Sequence, residues 1–245
     1  MTGPMAGEQG LPVDGAGAGR QVAWVTMASI PADVGSPKRV TWHTVLRWFG
    51  VLCLLGAAYF AGYVAWLLWG TGIQTQQAQN ALQPTVQQWQ ANPQPVPPIG
   101  TAPRILPGDA YAVILIPKIG LDMVVVQGTD YEDLKKGPGH YTDTADPWDG
   151  TGRVGIAGHR TTYLHPFFNL DQVQPGDTIS LITRYGQFDY VATANFVKPE
   201  ATAGVVLAQT PDPTLVLTTC NPKYASSQRL IVTAKLVHAP PSAGK

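Results

Sequence analysis

The chain has 245 residues and carries 16 basic and 16 acidic side chains, so its formal net charge is zero. This balance argues against nucleic acid as a partner, because nucleic-acid-binding domains are usually basic. The two cysteines, Cys53 and Cys220, are too few for a disulfide scaffold or a cysteine-rich zinc site.

The first 70 residues predict a short arm followed by a membrane-spanning helix. Residues 1–47 are rich in Gly, Ala and Pro and predict a disordered cytoplasmic arm. Residues 48–70 contain no charged side chain, and a helix of that length spans roughly 35 Å, enough to cross a bilayer. A buried core helix is usually shorter, and a cleaved signal peptide would begin earlier and end in an Ala-x-Ala site. We therefore predict one transmembrane helix over residues 48–70.

The charges on either side of this helix predict its orientation. Lys38, Arg39 and Arg47 precede the helix, and the next basic side chain is Arg104. Positive side chains flanking a membrane helix favour the cytoplasmic side. We therefore expect a single-pass protein of the cell membrane, with its N-terminus in the cytoplasm and the residues after Gly70 outside the cell.

The segment that follows the helix predicts a linker. Residues 71–103 are rich in Gln and Pro and uncharged, with a short helical piece expected near Gln74–Gln83. The proline-rich run Pro93–Pro98 predicts an extended, semi-rigid polyproline II spacer that holds a domain away from the membrane.

Residues 104–238 predict one globular domain, followed by a tail at 239–245. Short runs rich in β-branched residues recur between Gly-Asp, Pro-Gly and Asp-Pro turn signals, and helical pieces are expected only at Tyr131–Lys135 and Pro166–Leu170. Many short strands with little helix favour an all-β barrel or sandwich. The predicted strands are Tyr111–Ile116, Met123–Val126, Arg153–Ala157, Thr178–Thr183, Phe188–Val197, Thr214–Thr219 and Leu230–Val237.

Cys220 is a candidate nucleophile because of its position. It ends a predicted strand and is followed by the turn residues Asn221 and Pro222. Strand ends that open into loops are common places for reactive side chains. The alternative is a buried core cysteine, and position alone leaves the two interpretations equally supported.

His159 and Arg229 are candidate partners of this thiol. A nucleophilic thiol needs a base and a group that stabilises the oxyanion. His159 follows a predicted strand of small residues, although a histidine in such a place is more often structural. Arg229 would return beside Cys220 if the last two strands pair as a hairpin, and the alternative is an arginine in a surface ion pair.

These residues together resemble the sortase family. The signature Leu217-Thr218-Thr219-Cys220, followed by Arg229, is similar to the sortase pattern Thr-Leu-x-Thr-Cys followed by Arg. The segment Gly155–Thr161 resembles the family's histidine motif, and the run Ile116–Gly120 resembles an early strand turn. The resemblance covers about 104–237 and is greatest to class E sortases of actinobacteria, which are Gram-positive, with class D next.

Two features depart from the family pattern. Val216 stands where the signature has its first Thr. Asp146-Pro147-Trp148 resembles the lid motif of pilus-building sortases, but that lid precedes the barrel in the family. We interpret the motif here as a turn.

The resemblance implies a fold and a reaction. Sortases have a closed eight-stranded β-barrel with short helices, here expected after one transmembrane helix. They cleave a sorting signal of the Leu-Pro-x-Thr-Gly type, or Leu-Ala-x-Thr-Gly for class E, between Thr and Gly. On this basis Cys220 would be the nucleophile, His159 the general acid and base, Arg229 the oxyanion or substrate partner, and Thr219 a substrate contact.

The resemblance also implies partners. The substrates would be secreted proteins that carry a C-terminal sorting signal, and an amine of a peptidoglycan precursor in the cell wall would accept the acyl group. We expect no metal and no cofactor: the sequence shows no zinc-protease motif and no phosphate-binding loop, and no acidic cluster suggests the calcium that some sortases use.

Two alternatives remain open. A membrane-anchored cysteine peptidase would use the same Cys220 and His159 with water as the acceptor. A non-catalytic β-domain for adhesion or binding would have no need of Cys220, His159 and Arg229 together. Formation of an amine-dependent product distinguishes the transpeptidase from the peptidase.

Overall fold

The structure is a computed structural model that describes residues 41–241. Most of the predicted N-terminal arm, residues 1–40, lies outside the described residues, as does 242–245 of the predicted tail. Residues 42–47, which were assigned to the arm, belong to the first helix.

Helix α1 (Trp42–Ala65) is the candidate membrane anchor. It is long and apolar enough to cross a membrane, and none of its residues is buried against the rest of the chain. It begins before the predicted span and gives way at Trp66–Gly70 to one π-helical turn. The apolar stretch seen in the sequence therefore lies mostly within one exposed helix.

Helix α2 (Thr71–Ala91) occupies most of the segment predicted as a linker. The expected helical piece near Gln74–Gln83 is present but extends well beyond those residues, even though Pro84 lies inside the helix. A proline inside a helix removes one backbone hydrogen bond, so contacts with the rest of the protein must support α2. Val86 and Trp89 supply part of them, because both are buried in a small apolar cluster with barrel residues.

Gln79 ties α2 to the barrel through its side-chain amide. The Gln79 oxygen accepts a hydrogen bond from the Val124 N–H at 2.8 Å. Its Nε2 donates to the carbonyl oxygens of Val124 at 2.9 Å and Lys136 at 2.8 Å. One glutamine thus satisfies three backbone groups of the second strand and the turn after it, as a neighbouring strand would. The helix is a part of the folded domain.

We expect Gln79→Ala to lower the free energy of unfolding by about 2 kcal/mol, because it leaves buried backbone groups of Val124 without partners. The measurement is chemical denaturation of a protein spanning residues 71–245. Gln77→Ala is the matched control, since Gln77 is exposed on the same helix and its loss should change stability by less than about 0.5 kcal/mol. Equal effects of the two substitutions would contradict a docked α2.

The proline-rich run is also packed against the barrel. Gln94 N–H donates to the Arg184 carbonyl oxygen at 2.8 Å, and Val96 is buried in the main core cluster. The run at Pro93–Pro98 contains no helix, and Val96 forms an isolated strand bridge. These contacts show that the run lies on the domain and is not a free spacer.

Eight strands follow and match the predicted β-rich runs, with one addition. The additional strand is only two residues long, too short for a sequence pattern to reveal. The strands are β1 (Ala110–Ile116), β2 (Leu121–Gln127), β3 (Gly139–His140), β4 (Arg153–Ala157), β5 (Thr178–Thr183), β6 (Gly186–Pro199), β7 (Thr214–Asn221) and β8 (Gln228–His238).

The strands form a closed barrel in the order β1-β2-β3-β4-β7-β8-β6-β5. Antiparallel pairing of β5 with β1 completes the closure, which removes the unpaired sheet edges. Two neighbouring pairs are parallel, β2 with β3 and β4 with β7, and the other pairs are antiparallel. The predicted closed eight-stranded all-β barrel is confirmed.

Short helices and turns complete the domain. Helix α3 (Tyr131–Leu134) falls where a helical piece was predicted, and α4 (Glu200–Ala203) follows β6. The helix predicted at Pro166–Leu170 is wrong: that segment forms successive turns, and a short 3-10 helix begins only at Leu170. Three residues with left-handed backbone, Tyr163–His165, come directly before it and prevent a regular helical entry.

Candidate active site

The pairing of β4, β7 and β8 brings the three candidate residues into one row. β4 and β7 pair in parallel up to Ala157 opposite Thr218, and the same register continued by two residues sets His159 beside Cys220. The Gly158 N–H donates to the Thr218 carbonyl oxygen at 3.1 Å, so the two chains stay together past the last strand pair. On the other side, Cys220 pairs directly with Arg229 of β8. We call His159, Cys220 and Arg229 the His–Cys–Arg row.

The His–Cys–Arg row faces outward from the barrel. Side chains alternate between the two faces of a strand, and Leu215 and Leu217 of β7 are fully buried in the core. Cys220 therefore belongs to the opposite, outer face together with Val216 and Thr218. Gly155 lies on this face of β4, where a side chain would come within 2.9 Å of Tyr141 and Leu207.

Cys220 is half-buried and directly contacted by arginine. The Arg229 Nη1 donates to the Cys220 Sγ at 3.3 Å. The other amino group of Arg229, Nη2, forms an ion pair with Glu200 of α4 at 2.8 Å, which fixes the direction of the guanidinium. The same N–H groups can donate to an oxyanion that forms next to the sulfur.

His159 is held as a neutral imidazole with a free ring nitrogen. Its ring packs against the ring of Tyr163, with centroids 4.9 Å apart. Burial lowers the pKa of His159 below its ordinary value of 6.5, so the ring is neutral at pH 7. Its Nε2 is buried and has no hydrogen-bond partner in the part of the chain that the structure describes. A neutral imidazole with an unoccupied nitrogen can accept a proton from a nearby thiol.

Thr219 has a hydroxyl that is already engaged. Its Oγ1 donates to the Gly158 carbonyl oxygen at 2.7 Å, and the side chain is buried. This bond ties the end of β7 to the end of β4, next to the His–Cys–Arg row. Thr219 also lines the cleft at the row. This position is compatible with its predicted role as a substrate contact, which stays a prediction.

A cleft of about 290 Å³ opens over the row. His159, Cys220 and Arg229 all line it. Its other walls come from the small residues at the ends of β4 and β7 and from segments near α3, namely Thr129, Leu134, Tyr141, Ala157, Gly158, Thr218 and Thr219. This shape can take an extended peptide whose carbonyl carbon lies beside the sulfur.

A second cleft of about 400 Å³ shares His159 and Cys220 with the first. The rest of its wall comes from the loop between β7 and β8, the segment after β4, the end of α1 and the π-helical turn, namely Tyr224, Ala225, Ser226, Arg160, Thr161, Thr162, Val64 and Leu67. Arg229 does not line this cleft. The sulfur therefore borders a second cleft on a side away from Arg229.

Sequence reasoning assigned no role to Arg160, Tyr163 or Glu200. Arg160 is buried and donates a hydrogen bond to the Cys220 carbonyl oxygen near the end of β7. Tyr163 packs on His159, and Glu200 holds Arg229. A charged residue directly after a candidate base was the one signal that could have indicated Arg160. The other two are distant in sequence from their partners and carry no such signal.

The Asp146-Pro147-Trp148 motif forms a capped turn, as predicted. The Asp146 carboxylate accepts a hydrogen bond from the Tyr111 hydroxyl at 2.7 Å, and Trp148 is buried against Tyr111 and Tyr185. Burial raises the pKa of Asp146 to about 6. None of these residues lines either cleft at Cys220, so the motif does not cover the sulfur.

Within residues 41–241, no group of three or more His, Cys, Asp or Glu side chains is arranged to hold a metal ion. The side chains of the His–Cys–Arg row are one thiol, one imidazole and one guanidinium that is already paired with a carboxylate. This set is suited to nucleophilic and proton-transfer chemistry on a carbonyl group.

Comparison with known proteins gives one matching family model, described as the sortase domain, over residues 114–237. Sortase D of Bacillus subtilis (strain 168) is 35% identical over 133 residues; the match covers 53% of this chain and 65% of the relative's length. Sortase SrtE1 of Streptomyces coelicolor is 30% identical over 213 residues; the match covers 80% of this chain and 56% of the relative's length. The chain thus spans less than two thirds of the length of both curated relatives.

A solved structure matches the fold. The structure of a Clostridium perfringens Sortase D5 transpeptidase superposes with a TM-score of 0.55 at 28% sequence identity. The match covers 66% of this chain and 98% of that one. The similarity therefore extends over nearly all of that structure.

Proposed function

This chain belongs to the sortase family, and on that premise we propose that it is a membrane-anchored cysteine transpeptidase. The family resemblance drawn from the sequence motifs is thereby confirmed. The observation that carries the proposal is the His–Cys–Arg row, in which strand pairing sets a thiol between a neutral imidazole and a guanidinium.

The first half of the proposed reaction acylates the enzyme. The Cys220 Sγ attacks the carbonyl carbon of the Thr in a Leu-Ala-x-Thr-Gly or Leu-Pro-x-Thr-Gly signal, while His159 takes the thiol proton. Arg229 donates to the oxyanion of the tetrahedral intermediate. The Thr–Gly bond then breaks, His159 gives its proton to the departing glycine amine, and the Thr carbonyl remains on sulfur as a thioester.

The second half transfers the acyl group to an amine. The acceptor amine attacks the thioester carbon, and His159 takes a proton from the amine. The carbon–sulfur bond then breaks as the new amide forms, and His159 returns the proton to the Cys220 Sγ, which restores the thiol. A thioester keeps the acyl group activated, so exchange of one amide for another needs no nucleotide. We propose an amine of a peptidoglycan precursor in the cell wall as the acceptor and secreted proteins with a C-terminal sorting signal as the donors.

The location of the enzyme follows from α1. We propose that α1 anchors the chain in the cell membrane, with the N-terminus in the cytoplasm and the barrel outside. The charge asymmetry supports this orientation, since Arg47 lies within the first turns of α1 and the next basic residue is Arg104. An anchor also confines enzyme and membrane-bound reactants to one surface, which raises their effective concentration.

The test of this function is a peptide assay with and without an amine. A protein spanning residues 71–245, which retains the docked α2, is incubated with quenched Leu-Ala-x-Thr-Gly and Leu-Pro-x-Thr-Gly peptides, and products are identified by mass spectrometry. We expect a Thr–amine adduct that requires Cys220. Release of only the free acid at high amine concentration would indicate a cysteine peptidase. Absence of any product together with an unreactive Cys220 would favour a binding domain.

Arg229→Ala should reduce kcat/KM about 100-fold, the usual cost of losing one oxyanion donor. Arg229→Lys keeps the charge but loses the second N–H group of the fork, so its activity should lie between that of the alanine variant and the wild type. The measurement is the rate of adduct formation in the same peptide assay.

Lys235→Ala serves as the control for Arg229, because Lys235 is an exposed basic residue at the far end of the same strand. Its kcat/KM should stay within about twofold of the wild type. A wild-type rate of adduct formation in Arg229→Ala would show that this arginine does not stabilise the oxyanion.

A further inference from the structure

A second row of side chains lies one residue along from the His–Cys–Arg row. It consists of Arg160, Asn221 and Gln228, each adjacent in sequence to a member of the first row. We call it the Arg–Asn–Gln row. We propose that this row, with Arg160 as its positioning residue, holds His159 and Cys220 at the spacing their chemistry requires. The proposal rests on the proposed function for the roles of His159 and Cys220.

The contacts of Arg160 link the ends of two strands. Its Nη1 donates to the Asn221 Oδ1 at 2.6 Å and lies 3.3 Å from the Cys220 carbonyl oxygen, to which it also donates. Its Nη2 forms an ion pair with Asp171 at 3.0 Å. One side chain thus joins the segment after β4, the end of β7 and a turn outside the barrel.

Asn221 continues the row to the third strand. Its Nδ2 donates to the Gln228 Oε1 at 2.8 Å, across a strand pair in which Asn221 lies opposite Gln228. The hydrogen bonds therefore run from Arg160 to Asn221 to Gln228. They cross the same three chain segments, in the same order, as His159, Cys220 and Arg229.

Asn221 and Gln228 lie on the opposite face of their strands from Cys220 and Arg229, because neighbouring side chains in a strand alternate. Arg160 follows the end of β4, is only 5% exposed and lines the second cleft beside His159 and Cys220. The carbonyl oxygen of Cys220 is thus held by the residue that directly follows His159. A displacement of about 1 Å between reacting groups can cost 10²-fold in rate, so fixing this spacing has a direct catalytic consequence.

If Arg160 served stability alone, an apolar side chain could join the segment after β4 to the end of β7 at a lower cost in free energy. Desolvation of a guanidinium opposes folding, and a well-packed apolar side chain of similar size often stabilises a protein as much or more. What an apolar side chain cannot do is direct hydrogen bonds to a carbonyl and an amide oxygen at once. The planar fork of arginine does this with one rigid group, which points to geometry as the property it supplies.

The test measures how much the reactivity of the Cys220 thiol depends on His159. It uses the full-length protein in detergent micelles. The rate of Cys220 alkylation by iodoacetamide is measured at pH 7 for the wild type and for His159→Ala, each with and without Arg160→Gln. Cys53→Ala is present in all variants, so only one thiol reacts. We expect His159→Ala to slow alkylation at least tenfold in the presence of Arg160 and less than twofold in Arg160→Gln.

Turnover of the peptide provides the second readout. Arg160→Gln should lower kcat about 100-fold. KM for the peptide should stay within about threefold of the wild type, because Arg160 does not line the cleft formed over His159, Cys220 and Arg229. Arg160→Lys should recover part of kcat. Asn221→Ala breaks the same row without removing a charge. In this variant, too, His159→Ala should slow alkylation less than twofold. Asn221→Ala therefore provides the test if Arg160→Gln fails to fold.

Arg153→Gln is the matched control. Arg153 begins β4, and its guanidinium likewise crosses to other segments, donating to the Val206 carbonyl oxygen at 2.7 Å and the Thr214 hydroxyl at 3.3 Å. It lies at the opposite end of β4 from His159, so His159→Ala should slow alkylation in Arg153→Gln as much as in the wild type.

The proposal would be overturned if His159→Ala slowed alkylation by the same factor in the wild type and in Arg160→Gln. It would also be overturned if His159→Ala changed the alkylation rate in neither background. A failure of the proposed function has a different signature: the wild type forms no peptide product while the alkylation data still show coupling that depends on Arg160. The two outcomes are therefore distinguishable.

Discussion

Cys220→Ala should abolish adduct formation, a loss of at least about 10⁴-fold, because no other group in the cleft can form the acyl intermediate. The thioester links substrate to enzyme through sulfur, and alanine offers no nucleophile. Incubation of the wild type with peptide in the absence of amine should add the mass of the acyl fragment to the protein. Hydroxylamine should remove that mass, since it cleaves thioesters.

The matched control for this prediction is the only other cysteine, Cys53, which is exposed in α1. In the full-length protein in detergent micelles, Cys53→Ala should be acylated and turn over at the rate of the full-length wild type. Acylation that persists in Cys220→Ala and disappears in Cys53→Ala would reverse the assignment of the nucleophile. Acylation that persists in both single variants would mean that a group other than a thiol reacts.

His159→Ala should lower kcat at pH 7 by at least about 10³-fold, within the range found for loss of a general acid and base. The alanine variant can neither take the thiol proton nor protonate the departing glycine amine. Acylation in the absence of amine should fall with it, because both proton transfers precede the thioester.

The lowered pKa of His159 also predicts how kcat/KM depends on pH. Because burial lowers that pKa below 6.5, the ring stays neutral as the pH falls through 6.5 and is protonated only in more acidic solution. The acidic limb of the kcat/KM profile should therefore lie below pH 6.5. A limb above pH 6.5 would contradict His159 as a buried general base.

His238→Ala is the control for the loss of imidazole. His238 is exposed at the end of β8, and its removal should leave kcat within about twofold of the wild type. A large loss for His238→Ala, with activity retained in His159→Ala, would assign the base elsewhere.

Much of the barrel could be predicted from local sequence. Arg153–Ala157 and Thr178–Thr183 were predicted with the bounds the structure gives them, because β-branched runs bounded by turn residues are a property of the segment itself. β3 could not be found this way. Its two residues, Gly139 and His140, are strand only because β2 and β4 lie on either side of them.

The segment after the membrane helix shows the limit of composition as a guide. Its glutamines and prolines are typical of a linker, and in isolation they would not fold. Gln79 and Trp89 are fixed by partners distant in sequence, Val124 and the apolar cluster beside it. Composition cannot report such partners, so a helix that belongs to the domain looked like a spacer.

The sequence by itself identified the residues that we propose carry the chemistry. Cys220, His159 and Arg229 were recognised because the motif around each is contiguous, and a contiguous motif is visible without knowing the fold. Their strand-end positions were predicted for the same reason.

The tertiary structure alone decided the geometry among them. The pairing of β4 with β7 and of β7 with β8 sets His159, Cys220 and Arg229 side by side. The same pairing brings Arg160, Asn221 and Gln228 together next to them. Register is a relation between segments far apart in the chain, fixed by the burial of one face of each strand. Because no single segment contains that information, the supporting row became visible only once the barrel had closed.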